Sequence, residues 1–184
     1  MNICVFCSAN NQIDEAYFRM TEELGRWCAG QGHTVVFGGT NQGLMECLAQ
    51  AAYEAGGQVT GVIPEIVERG GRTSAYVHNH VWTNDLNDRK AVMIAQADAI
   101  VALPGGVGTL DEVFTVLSAA SIGYHHKRVI LYNMDGFWDK LIVLMDDLQQ
   151  RGMIRGQWRD QLLVADNMST LTEMINRELQ AGAR

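Results

Sequence analysis

The sequence predicts a doubly wound α/β sandwich: a mainly parallel sheet flanked by helices on both faces, in one domain over residues 1–184. Three observations predict it. Short apolar runs alternate with longer helical patterns along the chain. The apolar runs are nearly continuous rather than alternating, as strands buried on both faces are. Several helical stretches stop at glycine, in "AGQGH", "EAGGQ" and "SIGYH".

In chain order, the predicted strands are "NICVFC" (2–7), "TVVFG" (34–38), "QVTGVI" (58–63), "DAIVAL" (98–103), "RVILYN" (128–133) and "LLVA" (162–165). "YVHNHVW" (76–82) alternates less cleanly and reads as an edge strand. Helices are predicted over 14–30, 43–56, 86–96, 109–123, 136–151 and 169–180. "ERGGRTSA" (68–75), with two glycines and two arginines, reads as a loop. With right-handed crossovers, such a sheet binds ligands at the carboxyl ends of its strands, where strand order reverses.

Composition narrows the function. At 47% hydrophobic residues the chain can bury a full core, and no apolar run approaches the roughly 20 residues of a membrane span. A formal net charge of −7 argues against a nucleic-acid polymer as partner. The start "MNICVFCSANN" has neither a basic stretch nor a cleavage site, so no secretory leader is expected. Cys4 and Cys7 form a CxxC within a strand, where the odd offset sends them to opposite faces and favours core packing over redox or zinc chemistry. Together these features describe a reduced cytoplasmic protein.

Three strand ends carry unusual loops: "CSANNQ" (7–12), "GGTNQG" (38–43) and "PGGVGT" (104–109). The last has a G-x-G, but Asp111 stands where the dinucleotide fingerprint needs its third glycine, and no Lys-Ser/Thr pair completes a P-loop. Gly105, Gly106 and Gly108 either converge backbone N–H groups on a monophosphate at a helix N-terminus or supply positive φ in a plain turn. Thr109-x-x-Glu112 has the form of a capping box, as does Thr170-x-x-Glu173. Against capping, Leu110, Val113, Phe114 and Leu117 form a packing stripe, and Glu112 projects nearly opposite it, beside Thr109.

"NDLNDRKAVM" (84–93) opens a helix capped by Asn84 or Asp85. Arg89 and Lys90 oppose the helix dipole there and share a face with Leu86, Met93 and Ala97. They form either an Asp85–Arg89 pair with snorkelling stems or an anion site with Arg89 as a planar fork of donors. His78 and His80 share a strand face without a visible third ligand, and His125 and His126 follow a helix C-terminus, where imidazolium is favoured. No metal site is expected.

"PGGVGTLDE" with an upstream "DRKAVM", preceded by "FGGTNQGLM" and "GVIP", resembles the LOG ("Lonely Guy") family of cytokinin riboside 5′-monophosphate phosphoribohydrolases, often labelled lysine decarboxylases. The resemblance runs along nearly the whole chain. It implies a Rossmann-like fold, a homodimer, and hydrolysis of an AMP-like nucleoside 5′-monophosphate to free base and ribose 5-phosphate, without metal or organic cofactor. It implies that Arg89 and Glu112 are the catalytic pair. Gly105, Gly106, Val107, Gly108 and Thr109, with Lys90, would bind phosphate. Ser8, Gly39 and Thr40 would line the nucleotide pocket, with Met93 near the base. Thr40 and Glu46 stand where the family has glycines, "CSA" replaces "CGS", Asn87 replaces a histidine, and "SAASIG" (118–123) replaces "TWxQLG". These departures fall on the base-recognition side. Two other classes stay open: a nucleotide- or cofactor-binding protein of the same fold without turnover, and a metal or redox protein using the cysteine or histidine pairs.

Overall fold

Every predicted apolar run becomes a strand: β1 (Asn2–Phe6), β2 (Thr34–Phe37), β3 (Gln58–Pro64), β4 (Asn79–Thr83), β5 (Ala99–Ala102), β6 (Val129–Tyr132) and β7 (Leu162–Ala165). The computed structural model describes residues 1–182. All seven strands join one sheet in the order β4-β3-β2-β1-β5-β6-β7, and every neighbouring pair is parallel. The helices are α1 (Glu15–Gly30), α2 (Gly43–Glu54), α3 (Glu65–Arg69), α4 (Leu86–Gln96), α5 (Val107–Ser121), α6 (Asp139–Gln150) and α7 (Met168–Gly182). No described helix is long and apolar enough to cross a membrane.

The period-2 alternation of strand side chains divides the core into two layers. Ile3, Val5 and Cys7 point to the layer built with α1, α2 and α7, while Cys4 and Phe6 point to the layer built with α4, α5 and α6. Cys4 and Cys7 therefore lie on opposite faces, and all four cysteines are free thiols. Both faces of the sheet are covered, which is why its strands read as continuous hydrophobic runs.

The structure corrects several expectations. Residues 65–69 form α3 where the 68–75 segment reads as loop; none of its residues is buried, so no hydrophobic period marks it. The rest of that segment is tied to the end of β2, through a Thr40–Thr73 bridge and the Ser74 N–H bonded to the Gly39 carbonyl. The helix expected over 136–151 starts at Asp139, after a 3-10 turn at Met134–Gly136 in which Asp135 has φ 50°. Trp138, Leu141 and Met145, apolar residues in and before α6 from which the sequence suggests a dimer surface, form part of the core. The exposed apolar side chains of this region include Phe114, Ile122, Phe137, Val143 and Leu144.

Strand order reverses between β1 and β5, so the loops after these two strands diverge at one point on the carboxyl edge of the sheet. They are stitched together where they start: the Ser8 N–H donates to the Pro104 carbonyl at 3.1 Å. The start of α2 packs onto the loop after β1. Leu44 N–H donates to the Ser8 carbonyl at 2.9 Å and Gly43 N–H to Asn11 Oδ1 at 2.7 Å. Gly43 has φ 59°, and a Cβ there would lie 2.6 Å from the backbone of Ala9 and Asn10. Gly43→Ala combines a left-handed residue with a backbone clash and should cost about 2 kcal/mol. Urea unfolding will measure it; a loss below about 0.5 kcal/mol, the usual range of a neutral surface change, would contradict this packing.

Candidate active site

α4 begins where Asp85 accepts hydrogen bonds from the N–H groups of Asn87 and Asp88, at 2.7 and 2.9 Å. Both bonds fall on Asp85 Oδ1, and Asp85 makes no ion pair with Arg89. Arg89 turns to α5 instead. Its Nη2 donates to Glu112 Oε1 at 2.6 Å, in a pair whose side chains are 13% and 2% exposed. Arg89 Nε is buried without a protein hydrogen-bond partner. The end of β2 abuts the guanidinium: a Cβ on Gly38 would lie 3.1 Å from Nη1.

Glu112 is not a capping residue. α5 starts at Val107 with Gly106 in the N-cap position and no side-chain cap, so Thr109 is already inside the helix. At the other proposed capping box α7 starts at Met168, and Asn167 Oδ1 caps it by accepting from the Thr170 N–H. The buried face of α5 is Thr109, Glu112, Val113, Val116 and Leu117, whereas Phe114 is exposed. Glu112 thus lies on the inward face, not opposite it.

Gly105, Gly106 and Gly108 do not supply positive φ; none of them is in the left-handed region. Gly105 is required by contact, because a Cβ there would lie 2.0 Å from Thr109 Oγ1. Gly106 and Gly108 have open space where a Cβ would be. Bare glycines over an uncapped helix start leave backbone N–H groups facing a cleft, with the positive end of the helix dipole behind them.

That cleft has a volume of about 520 Å³ and is lined by Cys7, Ser8, Ala9, Asn10, Met45, Arg89, Gly106, Gly108, Thr109 and Glu112. The structure brings Ser8, Arg89, Gly106, Gly108, Thr109 and Glu112 together there. Val107 is exposed at the first turn of α5. Gly39 and Thr40 lie to one side. Gly39 has φ 75° and packs against Ile63, and Thr40 is buried at its bridge to Thr73. Gly105 is likewise outside the lining, and two further residues are placed elsewhere. Met93 is fully buried in the core layer with Cys4, Phe6 and Val113. Lys90 donates to Asp111 Oδ2 at 2.7 Å and borders a separate groove with Ile94 and Thr115. Ala9, Asn10 and Met45 line the cleft without having been singled out, and Cys7, expected only to pack in the core, lines it too; their signal was the "CSANNQ" loop and the "GLM" at the start of α2.

Burial dominates the protonation of this site. It pushes the Glu112 carboxyl up to about 7, against the pull of Arg89; Asp111 raises it further and Lys90 lowers it. Burial likewise pushes the Cys4 and Cys7 thiols well above their usual range. His125 does not favour imidazolium: burial lowers it, and Lys127 and His126 add to the effect. Among the described residues, no group of three or more His, Cys, Asp or Glu side chains is placed to hold a metal ion.

The sequence profile of the family described as "Possible lysine decarboxylase" matches residues 45–175. Two cytokinin riboside 5′-monophosphate phosphoribohydrolases of Arabidopsis thaliana are 33% and 34% identical to the chain over 173 residues each. Those alignments cover 94% of this chain and 76% and 80% of the two relatives. The chain belongs to the LOG family. Among solved structures, the molybdenum cofactor carrier protein of Chlamydomonas reinhardtii superposes with a TM-score of 0.76 at 23% identity, covering 97% of this chain and 98% of the carrier. This establishes that this LOG family chain shares the carrier's Rossmann-like fold. The "lysine decarboxylase" description finds no pyridoxal-phosphate lysine in this cleft, whose lining contains no lysine at all.

The folded chain holds the Glu112 proton up to about pH 7, while the unfolded chain releases it near 4.5. Its contribution to stability is therefore full below pH 4.5 and is lost as pH rises to about 7. Relative to wild type, Glu112→Gln should become more stable across that window by about 3 kcal/mol. Urea unfolding of both proteins at pH 4.5 and 8 will test this; a constant difference would show that burial does not hold the proton.

Proposed function

We propose that this chain hydrolyses the N-glycosidic bond of a nucleoside 5′-monophosphate, AMP or a cytokinin riboside 5′-monophosphate, to free base and ribose 5-phosphate. The observation that carries the reading is the buried Arg89–Glu112 pair bordering the cleft one helical turn from the bare, uncapped start of α5. The relatives named above carry this activity in their names.

The residues suit the chemistry. The N–H groups at the start of α5 take the 5′-phosphate, and its binding energy fixes the ribose at the far end of the same cleft. Breaking the bond between C1′ and the base nitrogen leaves the electron pair on the base and builds positive charge on the ribose ring. The Glu112 carboxylate stabilises that charge and takes a proton from the water whose oxygen bonds to C1′; that proton passes on, through solvent, to the base nitrogen, which leaves as the neutral base and returns Glu112 to its carboxylate. Arg89 holds the carboxylate in place. A carboxyl titrating near neutrality is matched to accepting that proton. Every step uses groups of the chain and water, so the reading requires no metal or organic cofactor. The runner-up reading, a binding protein without turnover, has no use for an ion pair buried at such cost.

The expected outcome for Glu112→Gln is a loss of ribose 5-phosphate release by about two to four orders of magnitude. The folded variant should still show a melting shift with AMP, worth about 2.7 kcal/mol at a hundredfold the dissociation constant, and a much smaller one with adenosine. Chromatography of products and thermal melts will check both. Wild-type turnover surviving in the variant, or equal shifts for the two ligands, would overturn the assignment.

The reading extends to a cytoplasmic homodimer with no nucleic-acid polymer or membrane as partner. Four free thiols and the net charge of −7 support the compartment and the absence of polymer. The exposed Phe114, Ile122, Val143 and Leu144 around α5 and α6 support a second copy. Light scattering at micromolar concentration should give twice the 20.3 kDa chain mass; a monomer mass would contradict it.

A further inference from the structure

Two ion pairs, not one, link α4 to α5. Arg89 and Lys90 are consecutive on α4, Asp111 and Glu112 are consecutive on α5, and the pairs Arg89–Glu112 and Lys90–Asp111 close at 2.6 and 2.7 Å. The first borders the cleft. The second lies on the far side of the helix contact, where Lys90 is 10% exposed and Asp111 54% exposed. Lys90 cannot be read as a phosphate ligand in this arrangement, because its ammonium is committed to Asp111 and absent from the cleft lining. Slipping either helix by one residue would break both pairs together.

We propose that Lys90 and Asp111 are positioning residues: their pair sets the register of α4 against α5 that holds Arg89 on Glu112. The proposal rests on the hydrolase reading for its effect on turnover. The groups facing Glu112 are Arg89 and Lys90 from α4, its own neighbour Asp111, and the thiols Cys4 and Cys7 from the β1 side. The thiols stay protonated near neutrality, because burial raises them. That leaves one cation and one anion, Lys90 and Asp111, as opposed influences that can be removed while Arg89 and Glu112 both keep their own side chains. Removing the cation should make Glu112 hold its proton to higher pH; removing the anion should make it release the proton earlier.

The experiment uses the whole chain with Lys90→Gln, Asp111→Asn and, as the conservative control, Lys90→Arg. Carbon-13 NMR of glutamate side chains follows the Glu112 titration without any need for turnover, and the resonance is assigned by its loss in Glu112→Gln. Expected are a midpoint moved to higher pH in Lys90→Gln and to lower pH in Asp111→Asn. The acidic limb of kcat against pH should move in the same two directions. Each variant should lose about 10- to 100-fold in kcat, the scale of a small misplacement of reacting groups. KM and the AMP-induced melting shift should stay unchanged, and Lys90→Arg should retain the wild-type midpoint and rate. Loss of the AMP-induced shift in Lys90→Gln with an unmoved midpoint would make Lys90 a phosphate ligand and overturn the proposal. So would two variants with wild-type midpoints and rates. If the midpoints move oppositely while wild-type protein releases no ribose 5-phosphate, the hydrolase reading fails and the electrostatic role stands.

Discussion

A carboxylate with 2% of its side chain exposed must be paired or give up its charge, and the arrangement around Glu112 follows from that constraint. Arg89 supplies the pairing, so α4 has to be held at a fixed height and rotation against α5. Its start is fixed by Asp85, which caps the first turn. Its end is fixed by Lys127, whose ammonium donates to the carbonyls of Ile94, Ala95 and Ala97 at 2.5, 3.2 and 2.8 Å. Between those ends Met93 anchors the helix in the core. A residue that sequence resemblance associates with the base is thus part of what keeps the ion pair in register.

The same constraint explains the composition of the loops. The site sits where strand order reverses, so the loops after β1 and β5 and the start of α2 meet over it. Close approach of the loop after β1 leaves no room for a side chain at Gly43, and the Thr109 side chain leaves none at Gly105. Gly106 and Gly108 differ, since nothing in the protein occupies the space beside them. Glycine serves two ends within five residues: contact inside the protein at one position, open space for a ligand at the others.

The shared architecture with a cofactor carrier at 23% identity shows how little the fold alone says about chemistry. The chemistry of this chain has to be read from its own cleft. That cleft holds a carboxylate poised near neutrality, an arginine committed to it and an uncapped helix start.

By itself the sequence determined the doubly wound architecture. Continuous apolar runs and glycine-stopped helices report burial and chain reversal directly, and β1, β5 and β7 lie within or on the runs that predicted them. It also marked "PGGVGTLDE", Arg89 and Glu112, through residue types unusual for their places. It left α3 unmarked, because a short exposed helix carries no hydrophobic period. Only the tertiary structure decided which partners Glu112 and Lys90 have. Local spacing makes Thr109 and Glu112 a capping box and sets Arg89 within reach of Asp85, and both are reasonable from chain-local energetics. The helix start at Val107 removes the first option, and packing of α4 on α5 replaces the second by joining Arg89 to Glu112, residues 23 apart in sequence. A contact between two helices depends on the sheet that seats them, and no local pattern encodes that placement.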